Sequence, residues 1–161
     1  MKQRAFTVRV AEYDRPEELP DRQSRLVKMA KDAAKNAYAP YSGYHVGAAV
    51  LLANGKVVTD NNQENASYPS GLCAERVAIF HAGSQYPGVA VTAIAIAAME
   101  EGVFQEHPVS PCGGCRQVLY EKEAQGEMPM EVILYGTGMV RVLRSATDLL
   151  PLPFSFRKKS T

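Results

Sequence analysis

Ten residues in the middle of the chain, 89–98, run Val-Ala-Val-Thr-Ala-Ile-Ala-Ile-Ala-Ala without a single charge. β-Branched residues alternate with alanine there, as in a strand covered on both faces. Such a strand needs further layers above and below it, which constrains the fold more than any other stretch of the chain. Around it the hydrophobic period changes repeatedly. From about Asp21, Leu26, Met29 or Ala30, Ala33 and Ala37 recur at helical spacing, and this helix should stop before Pro40. His45 to Ala53 reads as a mostly apolar strand and Lys56 to Asn62 as its neighbour. Asn54-Gly55 between them predicts a tight primed turn with positive φ at both central residues. Helical stretches follow from Cys73 to about Gly83 and from Cys112 to Gln125, the second ending near Gly126. Short strands at 131–135 and 140–143 and a short helix at 145–150, before Pro151, complete the pattern. The expected fold is α/β, a three-layer α/β/α sandwich around a mixed five-stranded sheet.

At 161 residues the chain fits one domain with a core large enough to need no covalent staples. Phe6, Val8 and Val10 alternate like a strand and Pro16 to Pro20 bound a charged link, so residues 1–20 read as an N-terminal extension. Residues 21–156 form the expected catalytic domain and 157–161 a basic tail, whose Arg157, Lys158 and Lys159 read as a solvated end. A composition of 46% hydrophobic and 22% charged residues excludes the disordered and fibrous classes. The formal charge of +1 argues against a nucleic-acid partner or an anionic membrane surface. No apolar run approaches the roughly 18 residues of a membrane span. Met1 to Arg4 lead into alternating residues, not the apolar core of a signal peptide, so a cytoplasmic location is expected.

Cysteine placement carries the chemistry. Cys112 and Cys115 are spaced Cys-x-x-Cys at a helix start, and Cys73 opens another helix. Both positions favour thiolate through the helix dipole, so two converging helix starts could present three sulfurs to one Zn²⁺. Three protein ligands leave a position for water, whereas structural sites usually take four. Glu75, two residues past Cys73, could reach that water and move its proton. A zinc ion with three thiolates has a formal charge of −1, which opposes ionisation of the water. Arg76 and the two helix dipoles could offset this, and Arg76 is expected to hydrogen-bond the sulfurs.

Cys73-Ala74-Glu75 with Pro111-Cys112-Gly113-Gly114-Cys115 matches the zinc-deaminase signature, with Cys in place of the usual His. Ala39 to Ala49, Asn62 to Pro69, Cys73 to Arg76, Pro111 to Val118 and Leu149 to Pro151 extend the match. Together these stretches, running from about Asp21 to Phe154, resemble the homotetrameric cytidine deaminases that act on free nucleosides. The resemblance implies one Zn²⁺ per subunit on Cys73, Cys112 and Cys115. Glu75 would protonate ring N3 during attack on C4 and then carry a proton to the leaving amine. Asn62 and Glu64 would bind the ribose hydroxyls; positions i and i+2 of a strand do share a face. The Ala66 backbone and Tyr68 belong to the same substrate-binding stretch. Some contacts would reach a neighbouring subunit, so the implied partners are a small nucleoside substrate and three further copies. The implied activity is hydrolysis of cytidine and deoxycytidine to the uridine forms with release of ammonia, in pyrimidine salvage. Tyr44 stands where the family has a Phe beside the base, Gln63 replaces an aliphatic residue, and Lys122 follows Glu121 where Phe is common. Phe154 fits the position of a pocket-closing Phe, with Phe156 as a competitor.

Rival readings are few. Cys112 and Cys115 alone would suit a thiol redox motif. A structural zinc module would need a fourth ligand from His45, His81 or His107, none at a convincing spacing. Within deaminase chemistry, a modified or antibiotic cytosine nucleoside of the blasticidin type is the alternative substrate. Polynucleotide and tRNA deaminases typically carry His in the first half of the motif, and the charge of +1 opposes a polyanion channel.

Overall fold

The computed structural model describes residues 1–155; Phe156 and the basic tail fall outside them. Its strands are β1 (Val10–Tyr13), β2 (Tyr44–Leu52), β3 (Val57–Asn61), β4 (Val91–Glu100), β5 (Val103–Phe104), β6 (Glu131–Tyr135) and β7 (Val140–Leu143). Its α-helices are α1 (Asp21–Ala34), α2 (Ala74–Gln85) and α3 (Gly113–Gly126). The strands form one sheet in the order β1-β7-β6-β4-β2-β3, with β5 paired to β4. β4 runs parallel to β6 and antiparallel to β2, so the sheet is mixed as expected. It has seven strands instead of five. β5 hairpins back on the end of β4 (Glu100↔Val103), and β1 of the extension joins the free edge of β7.

Alternation along β4 divides the core in two. Ala93, Ala95 and Ala97 face α1, where they meet Leu26, Val27 and Ala30. Ile94 and Ile96 face the other way, onto Ala78 and Ile79 of α2 and Leu119 of α3. Burying both faces of the uncharged stretch Val91–Ala98 requires this three-layer stack. The alanine face lets α1 approach closely. At Gly47 of β2 a Cβ would fall inside the van der Waals shell of the Ala30 carbonyl oxygen and the Ala34 backbone nitrogen.

Three expectations shift in detail. Helix α1 stops before Pro40 as expected, but at Ala34, so Ala37 falls outside it. The Asn61 side-chain amide, from the neighbouring strand, donates to the Ala33 carbonyl and serves its last turn. At Asn54-Gly55 only Gly55 has positive φ, +81°. The Gly55 amide bonds the Leu52 carbonyl and the Leu52 amide bonds the Lys56 carbonyl, so the loop has three residues instead of two. In the extension, pairing covers only Val10 to Tyr13 because β7 offers four partners, Leu143 back to Val140. Phe6, Val8 and Val10 stay largely exposed. No helix among the described residues is long and apolar enough to cross a membrane.

Candidate metal centre and active site

Cys73 and Cys112 are the N-cap residues of α2 and α3, both with extended backbone and neither side chain capping its helix. Cys115 lies in the first turn of α3, fully buried. The three Sγ atoms lie within 4.8 Å of one another, with Cys112 and Cys115 3.6 Å apart. Tetrahedral coordination with Zn–S bonds of about 2.3 Å puts sulfurs roughly 3.8 Å apart, so the cluster fits that ion with small adjustment. No histidine joins it among the described residues. His81 pairs with Asp60 at 2.9 Å and His45 Nδ1 lies 2.9 Å from the Gly43 carbonyl. A three-sulfur set leaves the fourth position to a non-protein ligand.

The surroundings polarise the thiols. A hydrogen bond with Cys115 holds Cys73 well below the ordinary thiol range against the effect of burial, and Arg76 adds to the shift. Cys115 is driven up, first by its hydrogen bond to Cys73 and then by burial. Arg76 Nη2 stands 3.7 Å from Cys73 Sγ and 3.4 Å from the Gly71 carbonyl, while its buried Nε has no partner among the described residues. That orphaned donor beside the sulfurs suits an anionic thiolate cluster. Glu75, in the first turn of α2, is 6% exposed, and burial foremost raises its carboxyl above the usual range.

A cavity of about 250 Å³ opens beside Cys73 and Arg76 and is lined also by Asn62, Gln63, Glu64, Asn65 and Tyr68. Backbone pairing of Gln63 with Leu72 brings the strand end against the approach to α2 and gives the cavity its floor. Asn62 Oδ1 accepts from the Val46 amide at 2.7 Å and its Nδ2 donates to the Tyr44 carbonyl at 2.9 Å. One N–H and one lone pair of that side chain remain. Glu64 accepts from the Ser42 hydroxyl and from the amides of Tyr41, at 2.9 Å, and Ser42. The Ser42 hydroxyl foremost holds its carboxyl below the usual range. The exposed rings of Tyr41 and Tyr68 stand 6.0 Å apart at the mouth.

Not every expected residue lines this cavity. Tyr44 is half-buried on β2 and does not line it, though its carbonyl accepts from Asn62, which does. Ala66 is exposed in the loop at the rim. Phe154 lines a different, apolar cavity of about 650 Å³ between α2 and α3, with Ile79, Phe80 and Val118. Its backbone is held by Gln117 through two hydrogen bonds, 2.8 and 3.0 Å. The roles of Ser42 in seating Glu64 and of Arg116 behind Cys112 went unread in the sequence, because both are made by contacts across loops.

A family model described as the cytidine and deoxycytidylate deaminase zinc-binding region matches residues 20–128. A cytidine deaminase of Sporosarcina psychrophila is 40% identical over 136 residues, covering 84% of this chain and 91% of the relative. Another, from Halalkalibacterium halodurans, is 48% identical over 101 residues, or 63% and 71% of the two chains. The crystal structure of a Burkholderia pseudomallei cytidine deaminase superposes with a TM-score of 0.69 at 46% identity, covering 81% of this chain and 97% of that one. One from Mycobacterium tuberculosis gives 0.65 at 36% identity, covering 82% and 96%.

Proposed function

The chain belongs to the cytidine and deoxycytidylate deaminase zinc-binding family, and we propose on that premise that it hydrolyses the C4 amine of cytidine and deoxycytidine, releasing ammonia. The observation that carries the reading is the cluster of three sulfurs at two helix starts with one buried carboxyl, Glu75, in the adjoining turn. Cys73, Cys112 and Cys115 would hold one Zn²⁺ per subunit. When bound, that ion lowers the pKa of a water toward neutrality. Glu75 takes a proton from the attacking water and passes it to ring N3, then takes the proton of the new C4 hydroxyl and delivers it to the departing amine. Arg76 keeps the Cys73 sulfur anionic and oriented, a contact its 3.7 Å separation supports.

Around this centre Asn62, with its spare N–H and lone pair, and Glu64, pre-seated by Tyr41 and Ser42, bind the ribose hydroxyls. The Ala66 backbone and Tyr68 flank the sugar, and Tyr44 lies on the base side. Phe154, away from its own subunit's cavity, serves a neighbour's site in a homotetramer. The apolar α2–α3 groove that Phe80 and Phe154 leave exposed is where copies meet. Residues 21–156 make the catalytic unit and 1–20 an addition to its sheet edge. The expected setting is pyrimidine salvage in the cytoplasm.

Ammonia release with cytidine, deoxycytidine, cytosine, adenosine and blasticidin S in parallel tests the proposal. Turnover of the first two alone supports it. Turnover of blasticidin S instead keeps the chemistry and moves the substrate, with Tyr44 and Gln63 the residues to change first. Glu75→Gln should retain zinc and lose nearly all turnover; a variant as active as the parent overturns the assignment. Sedimentation should find four copies.

A further inference from the structure

Of the three sulfurs, Cys112 has the least support from its surroundings. Cys115 is buried in the core and Cys73 is half-buried against Arg76, whereas Cys112 is exposed. Its position rests on its backbone, and one residue controls the peptide on each side. The Arg116 main-chain N–H donates to the Cys112 carbonyl at 2.9 Å, closing the first turn of α3. Its side-chain Nε donates to the Pro111 carbonyl at 2.8 Å. The two successive carbonyls that bracket Cys112 are therefore held by one side chain and its own amide.

The far end of the same guanidinium is anchored too. Arg116 Nη1 donates to the Leu149 carbonyl at 3.2 Å, at the end of the 3-10 turn Ala146–Leu149. That turn is fixed independently by Glu123, seven residues on from Arg116 and so on the same face of α3. Glu123 accepts from the Ala146 amide at 2.7 Å, from the Ser145 hydroxyl at 2.6 Å and from the Thr147 hydroxyl. Arg116 makes no ion pair among the described residues, an unusual use of a half-buried cation. Among the described residues its side-chain bonds go to backbone carbonyls, which it meets as a rigid fork at fixed angles.

We propose that Arg116 is a positioning residue of the metal centre, locking the Pro111–Cys112 peptide against the 145–149 segment so that the exposed Cys112 sulfur is held ready for the ion. This rests on the zinc reading above. It predicts that Arg116 sets how long the ion stays and how its sulfurs are arranged, beyond any share in stability.

The test compares zinc-loaded wild type, Arg116→Gln and Arg116→Lys, with Arg141→Gln as a control whose partner, Glu12, lies at the far sheet edge. Two readouts are independent of turnover: the rate of zinc release to a chromophoric chelator, and the sulfur-to-metal charge-transfer band after cobalt(II) substitution. Arg116→Gln should release zinc about 10–100-fold faster, the range for lost outer contacts of metal ligands, and should shift the cobalt band. Its kcat should fall with little change in KM. Arg116→Lys keeps the charge but reaches only one carbonyl, so it should fall between; it also decides the matter if the Gln variant fails to fold. Release rate and cobalt spectrum unchanged in Arg116→Lys, or in a folded Arg116→Gln even with a lower Tm, overturn the proposal. A wild-type chain that takes up neither zinc nor cobalt overturns the metal reading and this proposal together, and does so before any variant is made.

Discussion

Glu123 shows how far one side chain can organise a site it never touches. It is 9% exposed, and its carboxylate receives the amides of Met130 and Ala146 and the hydroxyls of Ser145 and Thr147. Burial alone would raise its pKa, but the four donors outweigh it and hold the carboxyl below the usual range. A group depressed in the folded state adds stability above its unfolded pKa, and that stability is lost as pH falls through its folded pKa. Stability should therefore be insensitive to this group near neutrality and decline below about pH 4.5, the ordinary value for Glu. Glu123→Gln should flatten that acid limb in urea titrations at pH 3–7, and an unchanged limb would point to other carboxylates. Glu123→Ala leaves two buried amides unpaired and should cost on the order of 3–5 kcal/mol. None of this was legible in the sequence. A lone Glu in a helix reads as solvent-facing, and its partners lie up to 24 residues away, most of them at the start of the 3-10 turn Ala146–Leu149. The metal-site cysteines Cys73, Cys112 and Cys115 were legible because thiols at helix starts narrow the choices without knowledge of the fold.

At the scale of elements, periodicity revealed what each segment is, but not where its neighbours stop it. The alternation of β4 foretold both of its buried faces. β1 is shorter than its own alternation because β7 provides four partners, and β5 has only two residues from which to declare itself. Close approach is equally invisible locally: Gly47 reads as a weak point in a strand, yet it is where α1 presses on β2. Gly47→Ala must move backbone, not a flexible side chain, and should cost roughly 1–3 kcal/mol, toward the upper end. The check is a lower urea midpoint with an unchanged m-value. Removal of residues 1–14 makes the opposite case. Val10 is 42% exposed and the Glu12–Arg141 pair is at the surface, so little stability should be lost and metal binding should persist. Such a truncation bares the edge of β7, and its expected defect is concentration-dependent aggregation.

For the whole molecule, the metal centre is a junction between layers. Cys73 begins α2 and Cys112 begins α3, and those helices share the core beneath the sheet through Ala78, Ile79 and Leu119. An ion on all three sulfurs would tie the two helix starts together at the end where neither has a side-chain cap. Binding to the folded state alone adds about 2.7 kcal/mol when free metal is 100 times the dissociation constant. For a chain of this size each kcal/mol raises Tm by roughly 2–4 °C. Zinc should therefore raise Tm by several degrees in a concentration-dependent way, and a strong chelator should reverse the gain. Hydrogen exchange locates the effect: on zinc removal, the amides of 74–77 and 113–116 should lose protection first. The amides of β4 and β6, deep in the sheet, should keep theirs until global unfolding. Uniform loss across the sheet would mean that the metal supports the fold as a whole. Unchanged protection at both helix starts would mean that Cys73, Cys112 and Cys115 hold no ion in solution.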